Sequence, residues 1–69
     1  MTHIDARGLS CPEPVVLLRK AMMTGEPAYT ITVDNVTSRE NVTRYGEHQG
    51  YTAAVAEENG EYTLTFTKT

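Results

Sequence analysis

The sequence has only one cysteine, Cys11, among its 69 residues. A single cysteine cannot form an internal disulfide, and it leaves no second thiol for a thioredoxin-like redox cycle within one chain. With only two histidines beside it, the chain also lacks the four Cys and His ligands of a structural zinc site. So short a chain must therefore fold on its helices, strands and apolar core, and we predict one domain over residues 1–69.

Positive charge and long hydrophobic runs are also scarce. Six Lys and Arg stand against nine Asp and Glu, for a net charge of −3. This balance weighs against direct nucleic-acid binding, which needs a basic face. No apolar run is long enough to span a membrane, and residues 1–5 lack the basic and apolar regions of a signal peptide. We therefore expect no membrane association and a location in the reducing cytoplasm.

The cysteine lies in the stretch Ser10-Cys11-Pro12-Glu13-Pro14, directly before an apolar run. Proline fits the first helical turn, so a helix is predicted to begin here. Either Cys11 is the N-cap with Pro12 at the first helical position, or Ser10 is the N-cap with Glu13 completing a capping box. Both registers place the sulfur where free N–H groups and the helix dipole favour a thiolate or persulfide anion. The alternative is a small buried hydrophobic residue.

Two helices are predicted from spacing and capping signals. The first covers residues 12–23, where apolar residues fall on one broad arc, and it is ended by Gly25 and Pro27. The second begins at Thr37, whose spacing to Glu40 is that of a capping box, and continues to about residue 49. Its apolar stripe is thin, and Gly46 within it is unfavourable unless close packing requires it.

The remaining segments alternate like strands. They lie around Ile4, over residues 29–34, and on both sides of Asn59-Gly60, a strong signal for a type I′ hairpin. A two-residue loop there pairs Val55 with Leu64 and Glu58 with Glu61. The order βαβαββ then predicts an α/β (α+β) two-layer sandwich with both helices on one face of a mixed four-stranded sheet, in strand order 1-2-4-3.

In this fold the first two strands are parallel, so the loops after them meet at one edge of the sheet. The second helix start, with Thr37 and Arg39, is expected to share this edge with Cys11. We expect Arg39, Arg7 or both near Cys11, where a guanidinium would stabilise a sulfur anion. The alternative for each arginine is a solvated surface charge.

A general base for the thiol is missing from the sequence pattern. His48 is explained by the C-terminal end of the second helix, and His3 points outward from the first strand. No glycine-rich phosphate loop, acidic metal cluster or aromatic stacking array is present. The sequence thus indicates a thiol that takes up a group and passes it on, without a self-contained active site.

Residues 4–14, Ile-Asp-Ala-Arg-Gly-Leu-Ser-Cys-Pro-Glu-Pro, resemble the signature of the TusA/SirA-like sulfur-carrier family, with its Cys-Pro-x-Pro motif after an Asp-x-x-Gly-Leu lead-in. The match is strong over residues 4–20. The polar start of the second helix departs from the members that thiolate tRNA and looks closer to the N-terminal domain of YedF-type proteins of selenium metabolism. Those proteins usually continue into a second domain.

The resemblance implies that Cys11 accepts a sulfane sulfur as a persulfide from a cysteine desulfurase or rhodanese-type donor and relays it to an acceptor protein. In relatives the sulfur goes to tRNA thiolation or to cofactor and sulfur metabolism. Supporting positions are Pro12, Glu13, Pro14, Arg7, Thr37 and Arg39. No cofactor or metal is predicted, and a monomer is expected. The alternative is a non-catalytic protein- or RNA-interaction or redox-regulatory module whose thiol only tunes binding.

Overall fold

A computed structural model describes residues 2–69 of the chain. Its elements are, in order, β1 (Thr2–Asp5), α1 (Glu13–Met22), β2 (Ala28–Val33), α2 (Val36–His48), β3 (Tyr51–Glu58) and β4 (Glu61–Lys68). The predicted order βαβαββ is confirmed.

The four strands form one sheet in the order β1-β2-β4-β3. β1 pairs with β2 in parallel, and β4 is antiparallel to both of its neighbours. The central β4 buries Leu64 and Phe66, which pack with Ile31 of β2, Leu18 of α1 and Val42 of α2 in one core. The predicted two-layer sandwich and strand order are therefore confirmed.

The β3–β4 hairpin has the register predicted from its turn. Val55 pairs with Leu64, and Glu58 pairs with Glu61. Asn59 and Gly60, between the strands, both have positive φ, at 53° and 78°. A type I′ turn requires positive φ at both central residues, which is why Asn-Gly is favoured there.

The first helix begins later than either predicted capping register. Its N-cap is Pro12, with no side-chain cap, so neither Ser10 nor Cys11 caps it. The Glu13 N–H instead donates to the backbone carbonyl of Ser10 at 3.0 Å, and this bond replaces the capping box. Cys11 thus lies one residue before the N-cap, joined to Pro12 by a cis peptide bond.

The second helix begins earlier than predicted, because a stronger capping residue precedes Thr37. Asn35 is the N-cap, and its side-chain oxygen accepts the Ser38 N–H at 2.8 Å. Asparagine is preferred over threonine at this position. The predicted Thr37–Glu40 capping box is therefore wrong, and both residues lie within the helix.

Candidate functional site

Cys11 is an exposed free thiol at the end of the loop between β1 and α1. Two hydrogen bonds tie the start of this loop to the end of β2. The Ala6 N–H donates to the Thr32 carbonyl at 2.9 Å, and the Gly8 N–H donates to the Asp34 carboxylate at 2.7 Å. The predicted meeting of the two loops at the carboxyl ends of β1 and β2 is confirmed by these bonds.

The cysteine opens onto a pocket of about 370 Å³ between the two helices. Cys11, Pro12 and Val15 form the wall on the α1 side. The α2 side is formed by Asn41, Arg44, Tyr45 and His48. The wall is largely apolar, and its few polar groups all come from α2.

One of these groups contacts the sulfur directly. The Asn41 side-chain amide donates a hydrogen bond to Cys11 Sγ at 3.5 Å. Asn41 is half-buried and lies in the middle of α2, so its side chain extends from a regular helix rather than from a loop. An N–H donor stabilises negative charge on the sulfur that it contacts, so its effect is largest when the sulfur is an anion.

The four α2 residues of the pocket are spaced i, i+3, i+4 and i+7, which places them on one helical face. This face lies beside the buried stripe of Ser38, Val42 and Gly46. The spacing of these four residues can be seen in the sequence, but it does not show that this face of α2 packs beside Cys11. The middle and last turns of α2 pack beside the thiol, where the first turn had been expected.

His48 is one of these pocket residues, in the last turn of α2. The favourable position of a histidine at the C-terminal end of a helix is therefore not a complete explanation of His48, because this residue also lines the Cys11 pocket. Within residues 2–69, His48 makes no hydrogen bond to Sγ, so the thiol has no oriented imidazole partner. His3 lies on the other side of the fold, where its Nδ1 is 2.6 Å from Thr30 Oγ1.

Arg7 and Arg39 are engaged away from the Cys11 pocket. The Arg7 guanidinium donates to Asp5 at 2.9 Å and to Glu61 at 3.4 Å. Hydrogen bonds from Arg7 lower the pKa of the Asp5 carboxyl to about 2, and the pairing raises the pKa of Arg7. Arg39 stacks over the ring of Tyr62, 5.0 Å from its centroid.

Of the other predicted supporting residues, the two prolines shape the chain beside Cys11, and the other two are exposed in the first turns of the helices. Pro12 lines the pocket and Pro14 is buried in the first turn of α1, so both shape the backbone around Cys11. Glu13 is exposed in the first turn of α1, where a carboxylate is favoured by the helix dipole. Thr37 is exposed in the first turn of α2, outside the pocket.

A second groove of about 390 Å³ lies on the far side of α2, against β3. It is lined by Arg39, Glu40, Thr43, Arg44, Glu47 and Val55. Arg44 borders both this groove and the Cys11 pocket. Its guanidinium makes no ion pair within residues 2–69, so no carboxylate neutralises its positive charge there.

Neither a metal centre nor a membrane-spanning helix was found in the part of the chain that the structure describes. There, no three His, Cys, Asp or Glu side chains are placed to hold a metal ion together. No helix in residues 2–69 combines the length and hydrophobicity needed to cross a membrane.

The chain is thus a small two-layer βαβαββ protein with one exposed free cysteine before its first helix. Residues 2–68 match the family model described as sulfurtransferase TusA, and the chain belongs to this family. The fold is also similar to the crystal structure of the SirA-like protein from Desulfitobacterium hafniense, with a TM-score of 0.88 and 37% identity. That similarity covers 97% of this chain and 96% of the other.

Proposed function

We propose that this protein carries sulfane sulfur on Cys11 between a donor and an acceptor protein. The observation that carries the proposal is the exposed Cys11 thiol, hydrogen-bonded through Sγ at the edge of an interhelical pocket. Thiol exchange needs a thiolate, access and a partner, but no built-in acid or base. Membership of the sulfurtransferase family supports the same chemistry.

In the loading step, the Cys11 thiolate attacks the outer sulfur of a persulfide, R–S–SH, on the donor. The new bond joins Sγ to this sulfur, and the S–S bond of the donor breaks. The donor leaves as the thiolate R–S⁻, and Cys11 becomes Cys11–S–SH. No oxidant or reductant is consumed, because the sulfane sulfur only changes its partner.

Unloading is the same type of reaction, with loaded Cys11 now acting as the sulfur donor. A thiolate of the acceptor attacks the outer sulfur on Cys11, takes it as a persulfide, and returns Cys11 to the thiolate. The inner sulfur is never lost from the protein. The carrier is therefore ready for another cycle without a second cysteine in the chain.

Several neighbouring residues support the thiol in this proposal. Pro12 and Pro14 fix the path of the backbone from the loop into α1, and Glu13 complements the positive helix end. Arg7, Thr37 and Arg39 remain predicted supporting residues, although Arg7 is engaged by Asp5 and Arg39 by Tyr62. Their contribution would be through the local electrostatic field rather than through contact with the sulfur.

The proposed donor is a cysteine desulfurase or a rhodanese-type protein, and the proposed acceptor is a further thiol-bearing protein. The final product belongs to tRNA thiolation, cofactor synthesis, or selenium or sulfur metabolism. We propose that the protein works as a monomer in the cytoplasm, where reducing conditions keep the thiol free.

Intact mass spectrometry after incubation with a cysteine desulfurase and cysteine tests the proposal. Wild type should gain the mass of a sulfur atom, and Cys11→Ser should gain none. Ser10→Ala is the matched control, because the exposed Ser10 side chain does not cap α1 and the thiol is retained. It should load like wild type.

A desulfurase that loads a known acceptor protein but never labels Cys11 would contradict the proposed function. Retention of partner binding and biological activity by Cys11→Ser would instead support the interaction-module alternative. Alkylated wild type serves as a second unloaded reference, since its Sγ is blocked while every other residue is unchanged.

A further inference from the structure

We infer that Asn41 is a positioning residue for the sulfur carried on Cys11, holding both the thiolate and the loaded persulfide through its side-chain amide. This inference rests on the proposed sulfur-carrier function. It assigns a role to the middle of α2, a segment of the chain that is 30 residues away from the cysteine.

The contact itself is specific. Asn41 Nδ2 is 3.5 Å from Sγ, and this is the hydrogen bond that the structure gives to the sulfur from the side chains of the pocket. Arg44 and His48 line the same pocket one turn and two turns further along the helix. Of these α2 side chains, Asn41 is the one with a hydrogen bond to the sulfur in the described residues.

The chemistry of an amide suits both states of the carrier. An asparagine side chain presents two N–H donors and one carbonyl acceptor. Its N–H stabilises a thiolate or persulfide anion, and its carbonyl can accept a hydrogen bond from the S–H of a thiol or of Cys11–S–SH. Arginine and lysine donate only, so they would favour the anionic states alone.

The size of the pocket leaves room for the outer sulfur. An S–S bond is only about 2 Å long, so rotation about the Cβ–Sγ bond can bring the outer sulfur within reach of the same amide. The cavity of about 370 Å³ is far larger than one sulfur atom, so the loaded group fits without displacing α2. Tyr45 and Val15 contribute to its largely apolar wall.

Loading should therefore be favoured by Asn41. A persulfide is in general a stronger acid than the corresponding thiol, so the loaded sulfur carries more anionic character than the unloaded one. A donor aimed at the sulfur stabilises the anion more strongly, because hydrogen bonds to charged groups exceed those between neutral groups. Removing the donor should shift the equilibrium toward the unloaded state.

The test uses two variants and a matched control. Asn41→Leu removes the donor at similar size, and Asn41→Asp replaces it with a carboxylate that repels an anion. Asn59→Asp makes the same chemical change in the β3–β4 turn, where Asp-Gly is also accepted in a type I′ hairpin. Circular dichroism and thermal unfolding establish that all three variants are folded.

Two measurements are made on each protein. The first is the rate of Cys11 alkylation by iodoacetamide as a function of pH, which reports the thiolate without any sulfur transfer. The second is the equilibrium Cys11–SH + GS–SH ⇌ Cys11–S–SH + GSH, with glutathione persulfide as the probe and intact mass as the readout. Both sides hold the same atoms, and no electrons are gained or lost overall.

We expect Asn41→Leu to move the alkylation profile to higher pH and to lower the loading constant by about tenfold, the size of one hydrogen bond to a charged group. Asn41→Asp should have the larger effect, and Asn59→Asp should behave like wild type. A purely structural role of Asn41 would lower thermal stability without moving the pH profile.

The outcomes distinguish a failure of the role assigned to Asn41 from a failure of the sulfur-carrier function. If wild type takes up sulfur and Asn41→Leu matches it in both measurements, the role of Asn41 is overturned while the carrier function stands. If wild type takes up no sulfur although Asn41→Leu shifts the alkylation profile, the carrier function is overturned while the contact between Asn41 and the thiolate is supported.

Discussion

The Asp34 carboxylate accepts a hydrogen bond from the backbone N–H of Gly8 at 2.7 Å. Asp34 directly follows β2, and Gly8 lies in the loop that leads to Cys11. The bond therefore couples the end of a core strand to the segment that carries the thiol. Gly8 has a positive φ of 78°, so the turn that presents this N–H needs glycine.

Replacing Asp34 with alanine should loosen the Cys11 loop. We expect a loss of about 1 kcal/mol in the free energy of unfolding, because a charge-assisted hydrogen bond is removed at an exposed position. Amide hydrogen exchange at Gly8 should also become faster. Asp34→Asn is the control, since its side-chain oxygen can still accept the bond, and equal losses in both variants would contradict this explanation.

Gly46→Ala should destabilise the protein although alanine is the better helix former. A Cβ on Gly46 would overlap the ring of Phe66, so the ring or the helix must move. Overpacking a core typically costs about 1–3 kcal/mol, which exceeds the gain in helix propensity of about 1 kcal/mol. Chemical denaturation measures the net loss, with the exposed Glu47→Ala on the same helix as control.

The cause of that loss can be isolated with a second change. In the Phe66→Leu background the ring is absent, so adding Gly46→Ala should cost much less than it does in wild type. An unchanged penalty would show that the overlap with Phe66 is not its source.

Arg44 should influence the reactivity of Cys11 more strongly than Arg7 or Arg39, because only Arg44 among them lines the pocket. The measurement is the rate of reaction with the anionic disulfide DTNB divided by the rate with neutral iodoacetamide, so that general thiol reactivity cancels. Arg44→Gln should lower this ratio about two- to fivefold at low salt, and less at high salt.

Arg7→Gln and Arg39→Gln remove the same charge and serve as matched comparisons. Each should change the ratio less than Arg44→Gln does. A larger effect of either variant would support the roles that the sequence predicts for these two arginines at the thiol, and would contradict the greater influence assigned to Arg44.

The ion pair between Asp5 and Arg7 should make stability depend on acid pH. The pKa of Asp5 is lowered from 3.8 to about 2 by hydrogen bonds from Arg7. The folded state favours the ionised Asp5 carboxylate more strongly than the unfolded chain does. The contribution of this ion pair to the free energy of unfolding is therefore complete above about pH 4, and it is lost as the pH falls through about 2.

Thermal unfolding of wild type and Asp5→Asn between pH 6 and pH 2 measures this contribution. The difference in Tm between the two proteins should be constant above about pH 4 and should shrink toward pH 2. Both groups are half exposed, so added salt should reduce the difference. A difference that grows on acidification would contradict the assignment to Asp5.

Most of the fold could be predicted because several local signals agree. Asn59-Gly60 fixes the turn type, the turn fixes the register, and the register places Val55 opposite Leu64 as their hydrophobicity requires. Helix boundaries were less predictable, since neighbouring residues compete for the same cap. Asn35 displaced Thr37 at α2, and a backbone bond to Ser10 replaced a side-chain cap at α1.

The surroundings of the thiol could be predicted only in part. Cys11 and its two prolines are adjacent in sequence, so their arrangement is local. Asn41, Arg44 and His48 reach the pocket because α1 packs beside the second half of α2, and no sequence pattern gives the relative position of two helices. The predicted sheet edge and their charge had suggested Arg7 and Arg39, whose partners Asp5 and Tyr62 appear only in the folded chain.

The hydrogen bond between Asn41 and Cys11 also makes the thiol an internal probe of tertiary structure. The two residues are 30 positions apart, and they meet only while the helices are packed together. Unfolding separates the amide from the sulfur and leaves Cys11 with the reactivity of a thiol in a short peptide. The rate of Cys11 alkylation by iodoacetamide across a denaturation series should therefore follow helix packing, with no fluorophore attached to the protein beforehand.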